Sequence, residues 1–240
     1  MPLPGDAAGL VATVGRQVRA ARTFHVELVS VGEDGSRLTA GGDARTDTPA
    51  PAAQLTITDE GTTYAVLLDG AAYVRDQNAE VEPGRPWARL ARSDLTAVAP
   101  SGTPDPRAGA QAADLRRMLS TLLDGVDRAF RQITADTGLA IVRAGSVSGK
   151  PADERVDGRT AHRFTGETAT NAVPGDDEIA ALGRAGVAKL PWKLWVDDRG
   201  LPLRFTVSLG RRGSLTTTYT RWGAPVTIQA PPANQVASIG

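Results

Sequence analysis

The chain has 240 residues, with 27 Lys plus Arg against 27 Asp plus Glu, so no net field draws it towards nucleic acid or an acidic membrane surface. It has no cysteine, which excludes disulfides, thiolate catalysis and cysteine-based zinc sites. Its length suits one large domain or two small ones, and no run approaches the ~18 apolar residues of a membrane-spanning helix.

Met1-Pro2-Leu3-Pro4-Gly5-Asp6 shows neither the basic nor the apolar region of a signal peptide. Ala7 to Arg22 reads as a helix, with Leu10, Val11, Val14 and Val18 on one face. The period then changes to two. Phe24, Val26 and Leu28 alternate with His25 and Glu27; Leu38 and Ala40 follow; Leu55 and Ile57 alternate with threonines. Tyr64, Val66 and Leu68 run into Asp69-Gly70, a hairpin turn, then Ala72 and Val74, and Trp87 to Leu90 reads as a short strand.

Ala99 to Arg107 carries three prolines and reads as a loop. The strongest helical period follows, from Leu115 through Met118, Leu122, Val126 and Phe130 to Ile133, with Gly125 as a point of division and Asp136-Thr137-Gly138 as its end. Strands return at Leu139 to Val147 and Arg159 to Gly166. Asp176 offers an N-cap for a short helix through Arg184. Trp192 to Val196, Leu203 to Leu209 and Leu215 to Trp222 close the chain as strands, and Trp222-Gly223-Ala224-Pro225 breaks the last one. Strands on both sides of one amphipathic helical segment predict an α+β fold. In it a single antiparallel sheet of about ten strands is covered on one face by helices, with 110–133 lying across that face. We read 1–240 as one domain with loose ends at 1–6 and 233–240.

Candidate chemistry is sparse. His25 and His162 lie in strand patterns without metal-ligand spacing, so they read as ordinary hydrogen-bonded sheet histidines. Gly145-Ser146-Val147-Ser148-Gly149 has valine where a nucleophile elbow needs serine. Asp197-Asp198 reads as a turn, and Arg211-Arg212 as a solvated hairpin tip. Trp87, Trp192, Trp195 and Trp222 are either packing residues or, for one or two of them, rings at the mouth of an apolar cavity.

Several stretches carry a resemblance. Leu190-Pro191-Trp192-Lys193-Leu194-Trp195-Val196-Asp197-Asp198-Arg199-Gly200-Leu201-Pro202-Leu203-Arg204 resembles the "vWvD-dGLplr" hairpin of lipoprotein carriers with the LolA-like fold. Thr218 to Val226 resembles the "ysdwGkpV" segment, and Ala230-Pro231-Pro232 the terminal "aPp", of the actinobacterial LppX/LprG-type lipoproteins. Arg22 to Val26, Leu68 to Val74 followed by Trp87, and Val156 to Phe164 resemble that family's "vkSvH", "idGklYv" and "vdGvpthry".

The resemblance implies a U-shaped half β-barrel with helices on its concave face and a cavity for acyl chains between them. It implies a non-enzymatic, cofactor-free lipid or acylated-glycolipid carrier at the extracytoplasmic face of the cell membrane. An envelope transporter or acceptor protein would be its partner, and it would have no nucleic-acid role. That family is anchored through an acylated N-terminal cysteine, so its signal peptide and cysteine are read as cut away ahead of Met1, and contact with the membrane would run only through that anchor. The apolar alternation suggests Phe24, Val26, Leu55, Ile57, Tyr64, Val66, Met118, Leu122, Phe130, Phe164, Leu203, Phe205 and Val207 as cavity-lining residues. The alternative is a sensor or regulatory protein-interaction domain of the same fold with a packed interior.

Overall fold

The computed structural model describes residues 3–46, 51–91, 130 and 133–238. Among them thirteen strands form one open sheet: β1 (Thr23–Val31), β2 (Arg37–Arg45), β3 (Ala52–Thr58), β4 (Thr62–Leu68), β5 (Ala71–Asp76), β6 (Trp87–Ala91), β7 (Ser146–Val147), β8 (Ala152–Val156), β9 (Arg159–Ala169), β10 (Lys189–Val196), β11 (Pro202–Ser208), β12 (Ser214–Thr220) and β13 (Val236–Ser238). The order is β13-β6-β5-β4-β3-β2-β1-β12-β11-β10-β9-β7, with β8 also on β9. Every pairing is antiparallel except β13 on β6. Val236–Ser238, expected as part of a loose end, is thus an edge strand.

Helix α1 (Ala7–Ala21) starts where the Asp6 carboxylate accepts the Gly9 N–H at 2.8 Å. It stops at Arg22, whose left-handed φ of 66° turns the chain directly into β1. Its buried residues Leu10, Val11 and Val14 pack on the inner face of the sheet with Phe24, Val26 and Leu28. The hairpin turns Asp69-Gly70 and Asp157-Gly158 have positive φ at both residues, as a type I′ turn requires. Helix α3 (Asp177–Arg184) carries its expected cap, the Asp176 carboxylate accepting the N–H groups of Glu178 and Ile179.

One expected element changes type. Leu139 to Val147 is not a strand: Ala135–Ala144 is a helix, α2, and only Ser146–Val147 is extended. Asp136-Thr137-Gly138 does not end a helix but forms its first turns. Asp136 suits the positive end of the helix dipole. Gly138 is there for contact: a Cβ would lie 3.1 Å from the Phe205 ring, so glycine lets α2 approach the sheet. Leu139, Ile141 and Val142 are all buried, and so short an apolar run does not by itself tell a helix from a strand. Of the helical stretch expected at 110–133, only Phe130 and Ile133 fall within the described residues, and both pack against the inner core.

The core lies between α1, α2, α3 and the inner face of β1 and β9–β12. Trp192 is fully buried there, and its indole N–H donates to the Thr168 hydroxyl at 3.1 Å. That hydroxyl donates in turn to the Ile141 carbonyl of α2 at 2.7 Å. Gly166, the β9 residue opposite Trp192, leaves room for the indole; any side chain there would strike the ring and the Ser146 carbonyl.

The facing of β11 is open to a direct check. Phe205 is buried against the inner core, whereas Thr206 is half-exposed on the other face beside Thr216. Phe205→Asp should cost several kcal/mol and move the denaturant midpoint far down, while Thr206→Asp should change the unfolding free energy by less than ~1 kcal/mol. Equal midpoints for the two variants would show that the facing is wrong.

Candidate functional site

The inner face has two unlike halves. Over β1 and β9–β12 it carries large side chains, Phe24, Tyr219, Phe205, Trp192 and Phe164, which the helices cover. Over β2–β5 the register brings mostly small ones into line, with one leucine in each row: Ala44, Ala53, Leu67 and Ala72 share one, and Gly42, Leu55 and Ala65 the next. A cavity of about 40 Å³ lies on this second half, bordered by Ala53, Leu55, Ile57, Ala65, Leu67 and Phe130. Its walls are apolar, and its volume matches roughly one water-sized group.

The candidate lining residues divide accordingly. Leu55, Ile57 and Phe130 border the cavity. Phe24, Val26, Phe164, Phe205 and Val207 face inwards but are consumed by packing among themselves and the helices. Met118 and Leu122 lie outside the described residues.

Three residues face the other way. Tyr64 pairs with Thr56 and Val66 with Gln54, both on the outer face, because the Asp59–Gly61 turn sets Leu55 opposite Ala65. Val66 borders the cavity as part of β4, but its side chain packs with Ala52 and Ile228 in a separate outer cluster. Leu203 is turned outwards by a bulge where the β10–β11 register shifts between Trp195 and Val196, and it packs with Val156, Ala161 and Trp195. Ala53, Ala65 and Leu67 were missed. Alternation counted back from Leu55 through the turn would have found them, but alanines carry little signal in an apolar pattern.

The polar candidates hold structure together. Asp197 is buried; one carboxylate oxygen accepts the backbone N–H groups of Arg199 (3.0 Å) and Leu201 (2.9 Å), and the other faces the guanidinium groups of Arg159 and Arg199. It fixes the β10–β11 turn and has no oxygen to spare for proton transfer. His25 shares a 2.7 Å hydrogen bond with Asp43 across β1 and β2. His162 is held at both ring nitrogens, Nδ1 by Asp153 at 2.7 Å and Nε2 by Asp198 at 2.8 Å. Two carboxylates can both be satisfied only if both nitrogens carry protons, so Asp198 first and Asp153 second raise its pKa above the ordinary histidine value. The Ser146 stretch is the edge strand β7, paired with β9.

Two solved structures share this architecture. LprF from Mycobacterium bovis superposes with a TM-score of 0.57 at 14% identity, covering 94% of this chain and 96% of that one. The Mycobacterium tuberculosis lipoprotein LppX gives a TM-score of 0.51 at 18% identity, covering 92% of this chain and 99% of that one. No family model matches the sequence, and a search of curated proteins finds no match. The fold is that of the LppX/LprG-type lipoproteins: a LolA-like open antiparallel sheet with helices on one face.

The His162 cluster gives a pH dependence. A raised folded-state pKa contributes stability that is complete below the unfolded value of about 6.5 and is lost as pH rises through the folded value. His162→Gln should therefore cost up to ~1 kcal/mol at acidic pH, the ceiling for an exposed ion pair, and less in alkaline buffer. Urea midpoints of wild type and variant at the two pH values measure this; a gap that widens with pH would refute the doubly bonded imidazolium.

Proposed function

We propose that this chain is a carrier at the extracytoplasmic face of a cell membrane, acting as one domain. It holds acyl chains of a lipid or glycolipid against the inner face of β2–β5, without chemical turnover, and exchanges them with an envelope transporter or acceptor protein. The observation that carries this reading is the apolar cavity walled by Ala53, Leu55, Ile57, Ala65, Leu67 and Phe130, on a half of the sheet built from small side chains. Sharing a fold with a lipoprotein, LppX, supports the location. Each methylene transferred from water to such a wall is worth ~0.8 kcal/mol, so part of one chain already gives useful affinity.

A second reading has its own support. A cavity of about 40 Å³ is far smaller than an acyl chain, which favours a packed interior and a protein-interaction role at the envelope.

The two readings part at Ala65, which is half-buried on the inner face opposite Leu55. Wild-type protein mixed with vesicles containing a fluorescent fatty-acyl probe should extract the probe saturably. Ala65→Trp should block that uptake while unfolding stays cooperative. A packed interior would give no uptake by wild type and an overpacked variant less stable by ~1–3 kcal/mol, and the carrier reading would then be abandoned.

A further inference from the structure

The outer face of the sheet carries two arginine–aromatic ladders, and they differ in one respect. In the first, Trp195 of β10 stands between Arg163 of β9 and Arg204 of β11, its register partners. The Arg204 guanidinium lies 6.0 Å from the centre of the indole. Each arginine has a carboxylate of its own: Glu154 at 3.0 Å from Arg163, and Asp157 at 3.5 Å from Arg204. The indole N–H donates to Glu154 as well, at 2.8 Å. This ladder is complete.

The second ladder lies on β3–β6. Arg75 is the register partner of Tyr64, and its guanidinium lies 5.6 Å from the centre of the phenol ring. Among the described residues Arg75 has no carboxylate and no hydrogen bond. Its Nε is buried without a partner, as are those of Arg45, Arg163 and Arg204, and the missing carboxylate is what separates it from the two arginines of the first ladder. Beside it a cavity of about 170 Å³ opens to solvent, walled by Tyr64, Arg75, Trp87, Val66, Gln54 and Thr56. The Gln54 amide and Thr56 hydroxyl are exposed at its rim.

A half-buried guanidinium over one aromatic ring, sharing a cavity with a second and with no anion beside it among the described residues, is a site for an anion brought from outside. The volume is below the ~300–1,000 Å³ of pockets for drug-sized ligands, so it takes one ring-sized group. Rings with an apolar face suit the walls of Tyr64 and Trp87, and hydroxyl groups suit the amide and hydroxyl at the rim. We infer that this outer-face cavity binds an acidic saccharide unit, a sugar ring bearing one carboxylate or phosphate, with Arg75 on the anion, Trp87 and Tyr64 on the ring, and Gln54 and Thr56 on its hydroxyls. The site is on the opposite face of the sheet from the acyl-chain cavity and does not depend on that reading.

The test is an NMR titration of the tryptophan indole N–H signals in the full chain. Galacturonate and glucose 6-phosphate should each shift the Trp87 signal, identified by its loss in Trp87→Ala, along a saturable curve. Neutral galactose should bind at least about tenfold more weakly, as expected when a charge-assisted hydrogen bond is missing. Arg75→Gln should weaken the acidic sugars to the level of galactose without lowering the melting temperature, and Arg75→Lys should fall between, keeping the charge but not the fork. An acyl probe should not compete. No saturable shift with either acidic sugar, or equal affinity in Arg75→Gln, overturns the site. Inorganic phosphate binding as tightly as glucose 6-phosphate overturns the saccharide, leaving an anion contact only.

Discussion

The structure depends on one seam. Strands β1 to β6 and β7 to β12 form two antiparallel runs, and they share a sheet because β1 pairs with β12, His25 opposite Thr220 through Val31 opposite Ser214. That pairing closes almost the whole chain into a loop, so its contacts must offset a large entropic cost before most inner-face packing can form. Three rings supply them. Phe24, Tyr219 and Trp222 have centroids 5.0 to 5.9 Å apart at the end of the seam. Tyr219 is buried, which pushes its phenol pKa up and keeps it protonated, and its hydroxyl donates to the Thr134 carbonyl at the start of α2. The Trp222 indole donates to the Pro202 carbonyl at the start of β11. One aromatic cluster thus ties the two runs together and sets the helix over them.

The break after Trp222 belongs to the same device. Gly223, with a φ of 75°, donates its N–H to the Thr23 carbonyl, and the Thr23 hydroxyl donates to the Ala224 carbonyl. Pro225 then takes the chain off the ladder. The segment beyond it crosses the outer face, where Val226 and Ile228 pack with Ala52, Val66, Tyr73 and Trp87, and it ends as β13 beside β6. A sheet that reads as covered on one face is therefore partly covered on both.

This explains what the residues disclosed and what they withheld. Alternation, the Asp69-Gly70 turn and the Asp176 cap of α3 are local signals, and they were legible, whereas the Asp6 cap of α1 went unread. The side on which an alternating strand presents its apolar residues is not a local property. Val66 looks like an inward residue because the C-terminal segment supplies an apolar partner outside, and Tyr64 because its ring lies under the Arg75 guanidinium there. Leu203 looks inward because one bulge residue reverses the count. Gly138 looks like a helix stop because only the Phe205 ring, far along the chain, shows why a glycine is needed inside α2. The candidate site was half legible for the same reason: the bulky Leu55, Ile57 and Phe130 stood out, and the alanines around them did not.

Register is what keeps the two cavities chemically distinct. Leu55 and Ala65 border both of them, so between the apolar space inside and the arginine-lined space outside there is a wall one strand thick. The wall works because Ala65 points to one side while Tyr64 and Val66 point to the other. A slip of one residue between β3 and β4 would put the Tyr64 ring in the inner cavity and leave Ala65 outside. Small side chains resist such slips poorly, since an alanine loses little by being exposed. The restraint must come from the strand ends. Between β3 and β4 Asp59 donates its N–H to the Gly61 carbonyl, and beyond β4 Asp69-Gly70, with positive φ at both residues, sets the register of β5 on it. Large residues fix the half of the sheet that the helices cover. In the other half the turns carry that task, which lets Gly42, Ala44, Ala53, Ala65 and Ala72 stand among the leucines of its inner surface.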